Sequence, residues 1–264
     1  MIELSKREYI ARQFGRGLWS LAGLFSALAL WEAGAVLAGN PGVFPHLGDI
    51  ATALFAWGES GLLVQDLLES LPRVFVSALV AAPFGIILGL TLGPTNRLRL
   101  SAEWLIHFIR SLPPVALLPL FILWFGISWW SKLAASIFVC IFPVAVTTAQ
   151  ASIYADRQYR ELSNDLGLNL YSYVMKIVLP AAFPAIVPGI RLSLGTAFVM
   201  LYVSELAGAS VGIGYRISIS QLAYRADLMV AGLLVLGISC IADGLRGSNS
   251  IEALPPLCWQ MTPN

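Results

Sequence analysis

The chain carries Glu161-Leu-Ser-Asn-Asp-Leu-Gly167 and, after nine further residues, Ile177-Val-Leu179-Pro180. This stretch is polar, yet it lies between apolar runs that are long enough to cross a lipid bilayer. Gly167 permits a turn that other residues resist, and Pro180 suits the first turn of a helix. The stretch therefore predicts a structured aqueous loop between membrane spans, a place where a membrane protein meets a partner.

The residues between the two parts of this stretch predict a short helix. Leu168 to Val178 contains Tyr171, Tyr173 and Met175 and has an amphipathic pattern. We expect such a helix to present an aromatic surface to the groove of a partner. We expect Glu161 to cap or brace a short helix beside it.

The composition indicates a membrane protein. Of the 264 residues, 58% are hydrophobic and 12% are charged, whereas soluble domains average about 45–50% apolar and about 25% charged residues. The net charge of +1 provides no basic face, so nucleic acid is not an expected partner. The three cysteines form no CxxC or Cys/His cluster, and no metal site or disulfide framework is predicted.

Six apolar segments predict an all-α polytopic fold with about six transmembrane helices, since a helix needs about 20 apolar residues to cross a bilayer. We expect a retained first helix rather than a cleaved signal peptide, because Glu3 and Glu8 interrupt its basic flank and five more spans follow. The predicted spans are 18–38, 74–93, 104–125, 133–152, 181–208 and 227–245.

Basic residues beside these spans predict that both termini are cytosolic, because Lys and Arg concentrate in cytoplasmic loops. This orientation gives ten basic residues inside and four outside. Those inside are Lys6, Arg7, Arg12, Arg16, Arg97, Arg99, Arg157, Arg160, Lys176 and Arg246, and those outside are Arg73, Lys132, Arg216 and Arg225. The orientation places the Glu161–Pro180 loop in the cytosol.

The same pattern divides the chain into three parts. Residues 1–73 form an N-terminal cytosolic segment, the first span and an outer amphipathic loop. Residues 74–245 form a core that includes the cytosolic loop 157–180, and residues 246–264 form a C-terminal tail. Within the outer loop 39–73 we expect a surface helix over about 48–57 and a second amphipathic segment from Leu62 to Leu71, together forming a cap on the membrane surface.

Prolines and charges inside two spans predict a translocation pathway. An intramembrane proline is tolerated where protein or water satisfies the freed carbonyl, and an intramembrane charge is a functional candidate. For Arg110, snorkelling to the inner interface is an equal alternative. For Glu205 a structural role is favoured over gating. The candidate pathway residues are Arg110, Ser111, Pro113, Pro114, Arg191 and Glu205.

Glycines recur every fourth residue in the second span, at Gly85, Gly89 and Gly93. This spacing puts them on one helix face, where another helix can approach closely. We favour this packing interpretation over a pore lining.

The sequence contains no catalytic set. It lacks the Gly-x-x-x-x-Gly-Lys-Ser/Thr phosphate loop, so neither a nucleotide nor another cofactor is expected in this chain. His46 and His107 are predicted on opposite sides of the membrane and cannot act together. We therefore expect no enzyme activity and no metal.

The Glu161–Pro180 stretch resembles the EAA loop of ABC-importer permeases, which in that family forms the coupling helices that dock on the ATP-hydrolysing subunit. The family's two alanines are Leu162 and Ser163 here. The resemblance implies a coupling role for Glu161, Leu162, Ser163, Gly167, Ile177, Leu179 and Pro180.

Further segments resemble the nitrate, sulfonate and taurine permease group. They are Phe44–Ile50, Ala116–Ile127, Gly189–Gly195, Ser204–Leu206 with Gly212–Tyr215, and Asp227–Gly232. The resemblance implies a type I ABC-importer permease fold in the bacterial plasma (inner) membrane. It also implies a homodimer with a second permease copy, two ATP-binding ABC subunits, and a periplasmic or lipid-anchored solute-binding protein.

These observations predict a permease subunit that couples ATP hydrolysis by a partner to alternating access for a small anionic solute such as nitrate, bicarbonate, a sulfonate or taurine. The alternative is a stand-alone channel or secondary transporter. An intramembrane enzyme is disfavoured, because the sequence offers neither a paired acid and base nor a metal set.

Overall fold

The computed structural model describes residues 2–93, 104–106, 108–109 and 111–252, and the regular structure of these residues is helical throughout. The all-α prediction is confirmed. Arg110 and His107 lie outside the described residues. The helices are α1 (Ile2–Ala38), α2 (Leu47–Glu59), α3 (Leu62–Leu92), α4 (Pro114–Phe125), α5 (Trp129–Asp165), α6 (Leu170–Tyr173), α7 (Leu179–Leu206), α8 (Ile213–Leu222) and α9 (Ala226–Glu252), with a π-helical turn over Val174–Val178 between α6 and α7.

Within the part of the chain that the structure describes, four helical segments are long and apolar enough to cross a membrane. They are Leu21–Ala38, Leu62–Leu92, Trp129–Asp165 and Leu170–Leu206. Two shorter apolar helices, Pro114–Phe125 and Ala226–Ala242, match the third and sixth predicted spans. The polytopic prediction is therefore confirmed, although the count of six full spans is not reproduced within the described residues.

The third predicted span is not one continuous helix. Residues 112 and 113 are non-helical, and α4 begins at Pro114 with Pro113 as its N-cap. The reason is local, because Pro113 restricts Leu112 to extended backbone and Pro114 favours a helix start. Ser111 and Pro113 are exposed at this break, whereas Pro114 is half-buried.

The outer loop also differs from the prediction. Residues 62–71, predicted as a separate amphipathic segment, form the first turns of α3 and run on into the membrane span without a break. Their polar side chains Asp66 and Ser70 are fully buried, which explains why the segment is a packed helix end. A helix over about 48–57 is confirmed as α2, and its place on the membrane surface stays a prediction.

Two compact units make up the chain. The first comprises residues 1–62 and 217–233. Here Glu32 of α1 holds the start of α2: its carboxylate lies 2.8 Å from His46 Nδ1 and accepts a 3.0 Å hydrogen bond from the Leu47 amide. Trp31 donates a 3.0 Å hydrogen bond to the Pro45 carbonyl. The connection between α1 and α2 is thereby fixed by polar contacts.

The second unit comprises residues 63–216 and 234–264. Its core joins α3, α5 and α7 through buried residues that include Ala81, Cys140 and Phe198. The glycine face of α3 lies directly on α5: a Cβ added to Gly89 would stand 2.5 Å from Thr148 Cβ and 2.6 Å from the Ala145 carbonyl oxygen. The packing interpretation of this glycine stripe is confirmed.

Candidate coupling segment and buried polar cluster

The turn that ends α5 depends on Gly167. Gly167 has a φ of +62°, the left-handed region that favours glycine. Its amide donates to the Asn164 carbonyl and the Leu168 amide donates to the Ser163 carbonyl, each at 3.1 Å. This is the Schellman arrangement, in which two otherwise free helix carbonyls find donors. The predicted need for a special backbone conformation at Gly167 is confirmed.

Asn169 starts the next helical piece. Its side-chain oxygen accepts a 2.8 Å hydrogen bond from the Ser172 amide, and its backbone is extended. This is the geometry of an N-cap, which satisfies one of the free amides of a helix start. Gly167 and Asn169 together reverse the chain within three residues, so the short helix follows α5 at once.

Tyr173 fixes this short helix to the end of α5. The residue is only 4% exposed, and its hydroxyl donates a 2.9 Å hydrogen bond to Asp156 Oδ1. The same carboxylate oxygen accepts a 3.1 Å hydrogen bond from Arg160 Nε. The sequence predicted Tyr173 on the partner-facing surface, and that prediction is wrong because Tyr173 packs with Leu90, Ala155 and Val178.

A row of large apolar side chains is left exposed around the turn. We call Leu162, Leu166, Leu170, Tyr171 and Met175 the docking surface, and their exposed fractions run from 44% at Met175 to 72% at Tyr171. Clustered exposed apolar groups on a soluble-facing loop mark interaction sites. Tyr171 is the exposed aromatic residue of this segment.

The remaining predicted coupling residues differ in burial. Ser163 is buried and supplies its carbonyl to the turn. Ile177 and Leu179 are half-buried against the cluster that contains Tyr173. Glu161 is exposed and lies inside α5, so it caps no helix start, and its side chain makes no hydrogen bond among the residues described.

A second group of polar residues lies near the N-terminal end of α3. Glu205 Oε1 accepts 2.8 Å hydrogen bonds from Arg73 Nη1 and from Ser70 Oγ, and Oε2 accepts a 2.7 Å hydrogen bond from the Gly214 amide. Glu205 and Arg73 are each 1% exposed. Arg73 Nη2 also donates to Glu69 at 2.8 Å. Buried charges are tolerated when they are paired and hydrogen-bonded in this way.

Asp66 continues this cluster to the connection between α7 and α8. It is fully buried and accepts 2.9 Å hydrogen bonds from the Gly212 amide and from Arg216 Nε. Gly212 has a φ of +127°, and a Cβ added there would stand 2.7 Å from the Glu205 carboxylate. The cluster therefore requires glycine at this position and fixes the connection to the first turns of α3.

The structure separates the predicted pathway residues. Glu205 belongs to the buried cluster, which agrees with the structural role favoured for it. Arg191 lies on α7, is partly buried, and has a buried Nη2 with no hydrogen-bond partner among the described residues. Ser111 and Pro113 lie at the break before α4.

Beside this break is a cavity of about 330 Å³. Pro114 lines it together with residues of α5 and α7, and the wall is apolar apart from the hydroxyls of Thr147 and Thr196. Both hydroxyls already donate to helix carbonyls, at 3.0 Å for Thr147 to Pro143 and 2.8 Å for Thr196 to Ser193.

The apolar helices define a polytopic membrane protein. The chain belongs to the family described as "Binding-protein-dependent transport system inner membrane component", whose model matches residues 81–247. The sequence resemblance to permeases of this kind is confirmed.

Curated relatives of this chain are permeases. It is 34% identical over 179 residues to a putative aliphatic sulfonates transport permease protein of Bacillus subtilis, and 32% identical over 177 residues to the taurine transport system permease protein of Escherichia coli. These matches cover 68% and 67% of this chain and 65% and 64% of the relatives. A probable ABC transporter permease protein of Brucella melitensis is 30% identical over 86% of this chain and 92% of its own length.

Among solved structures, the fold is similar to that of the MetNI methionine ABC transporter in an inward-facing conformation. The TM-score is 0.66 at 20% sequence identity, over 74% of this chain and 97% of the other. The predicted type I ABC-importer permease fold is confirmed.

Proposed function

We propose that this chain is the membrane-spanning permease subunit of an ATP-driven importer for a small anionic solute of the sulfonate or taurine type. The curated sulfonate and taurine permeases similar to it support this solute class. One structural observation carries the coupling role. The docking surface stands exposed on a turn that Gly167, Asn169 and Tyr173 hold in place.

The proposed assembly contains two copies of the permease, two ATP-binding ABC subunits and a periplasmic or lipid-anchored solute-binding protein. ATP hydrolysis belongs to the partner subunits. Closure of those subunits moves the docking surface, and α5 and α7 carry the movement into the membrane. Each ligand biases one of two arrangements of the helix bundle, which is the basis of alternating access.

The proposed site is divided between coupling and passage. Glu161, Leu162, Ser163, Gly167, Ile177, Leu179 and Pro180 form or support the coupling segment within residues 157–180. The pathway within the core 74–245 is bordered by Ser111, Pro113, Pro114 and Arg191. Glu205 holds α3 and α7 together at the outer end of this pathway. The chain lies in the bacterial inner membrane with both termini in the cytosol.

Copurification of the ATP-binding subunit tests this proposal. Gly167→Asp places a side chain at a left-handed φ and a charge beside the docking surface, so it should lose the ATP-binding subunit and solute uptake while inserting normally. Gly39→Asp is the matched control, because Gly39 also has a positive φ, +59°, with open space around it. If Gly167→Asp retains both the subunit and full uptake, a stand-alone channel or secondary transporter becomes the better explanation.

A further inference from the structure

A π-helical turn separates the docking surface from the membrane span. It covers Val174–Val178, and the Leu179 amide donates a hydrogen bond to the Val174 carbonyl, five residues earlier rather than four. Pro180 gives a local cause, since it has no amide proton and its ring conflicts with the carbonyl four residues earlier, at Lys176. Widening the turn relieves that conflict. Single π turns of this kind are rare in proteins, and those that occur are often found at functional sites.

The turn changes which side chains share a face. An α-helix advances about 100° per residue, so side chains five apart point about 140° away from each other. Tyr173 and Val178 are five apart, yet both are buried, at 4% and 0% exposed, in one cluster with Leu90 and Ala155. A turn closed by hydrogen bonds between residues five apart brings them to the same side.

The consequence is a defined direction for the docking surface. With Tyr173 turned inward and bonded to Asp156, Leu170 and Tyr171 are turned outward, at 59% and 72% exposed. Continuous α-helix from α6 into α7 would keep Val178 buried and rotate Tyr173 out of its pocket. Leu170 and Tyr171 would rotate with it.

We propose that the π turn at Val174–Val178 sets the direction in which Leu170 and Tyr171 of the docking surface face relative to α7, so that the extra residue in this turn is a positioning device for the ATP-binding subunit. The inference rests on the proposed function. Lys176 is the residue to test, because it is exposed in the turn and its side chain makes no hydrogen bond among the described residues. Deleting it converts the turn to α-helical length, whereas Lys176→Ala removes the same side chain and keeps the length.

The first measurement reads the phase directly. In a background in which the native cysteines are replaced by alanine, Tyr171→Cys and Tyr173→Cys are labelled with a maleimide in permeabilised membranes. With the turn intact, position 171 should react at least about tenfold faster than position 173, since it is exposed. Deletion of Lys176 should abolish or reverse this ratio, and Lys176→Ala should preserve it. An unchanged ratio in the deletion variant overturns the inference.

The second measurement is binding of the ATP-binding subunit. The deletion should weaken it at least about tenfold, equal to about 1.4 kcal/mol, while Lys176→Ala stays within about twofold of the parent. Inserting an alanine after Lys176 rotates the short helix in the opposite direction and should also weaken binding. This second length variant keeps the test decisive if the deletion variant does not fold. If both length variants bind like the parent, the inference fails. If the parent itself does not bind, the proposed function fails, and the labelling ratio still decides the phase.

Discussion

Arg73 of α3 and Glu205 of α7 are joined by a hydrogen bond of 2.8 Å, and each residue is 1% exposed. The two residues are 132 positions apart in sequence. Ser70 and the Gly214 amide donate to the same carboxylate. The pair therefore ties the start of one membrane span to the end of another within an environment that excludes water.

Removal of Glu205 should destabilise the protein strongly. Glu205→Ala leaves the buried Arg73 guanidinium without its buried partner, and breaking such a pair costs about 3–5 kcal/mol. Glu69→Ala removes the other carboxylate bonded to Arg73. Because the Glu69 side chain is 45% exposed, its loss should cost no more than about 1 kcal/mol. Thermal unfolding in detergent measures both. Equal decreases in unfolding temperature for the two variants would show that burial does not determine the strength of the Arg73–Glu205 pair.

A methyl group at Gly89 should loosen the contact between α3 and α5. The added Cβ would lie within 2.6 Å of the Ala145 carbonyl oxygen, and overpacking costs about 1–3 kcal/mol. Gly237→Ala is the matched control, because Gly237 is helical and nothing lies within 4 Å of the added Cβ. We expect Gly89→Ala to lower the unfolding temperature and Gly237→Ala to leave it unchanged. A stable Gly89→Ala protein would contradict this helix contact.

Labelling of introduced cysteines should establish the orientation. Ser60 follows α2 on the predicted outer side, and Asn169 lies in the coupling segment on the predicted cytosolic side. An impermeant maleimide should label Ser60→Cys in intact cells, whereas Asn169→Cys should require permeabilisation. The opposite pattern would invert the topology and remove the coupling segment from the cytosol.

Arg191 should contribute to transport of an anion. Its Nη2 is buried with no hydrogen-bond partner among the described residues, so it retains donor capacity for a passing anion. Arg191→Gln should lower solute uptake while the ATP-binding subunit still copurifies. Arg225→Gln is the control, because Arg225 is exposed and bonded to Asp227 at 2.8 Å. Full uptake by Arg191→Gln would exclude this arginine from the pathway.

Local sequence chemistry predicted the turn and the helix contact. Gly167 has the left-handed φ that its place in the motif suggested, and Gly89 has the close neighbour that its spacing suggested. Both features depend on a missing side chain, and a missing side chain is visible in the sequence.

Long-range pairing and helical phase were not predicted. The sequence placed Arg73 outside a span as a topology marker, because nothing local reveals a carboxylate 132 residues away. Tyr173 was placed on the wrong face, because residues two apart in a helix point in nearly opposite directions, so Tyr171 and Tyr173 cannot both face a partner. The π turn at Val174–Val178, which brings Tyr173 and Val178 into one buried cluster, was not predicted either. Pro180 was the available signal for that turn, and it was taken only as a helix start.

Helix α5 has 37 residues, which at about 1.5 Å per residue gives a rod about 55 Å long. The hydrocarbon core of a bilayer is about 30 Å thick, and a tilt of about 20° changes the helix's reach little. Roughly 20–25 Å of the helix therefore lies beyond the hydrocarbon core, in the headgroup regions and the water next to them, with Gly167 just past its end. In the proposed importer, a partner that docks beside Gly167 contacts a projecting helix end, and a push there passes along the same helix into the span.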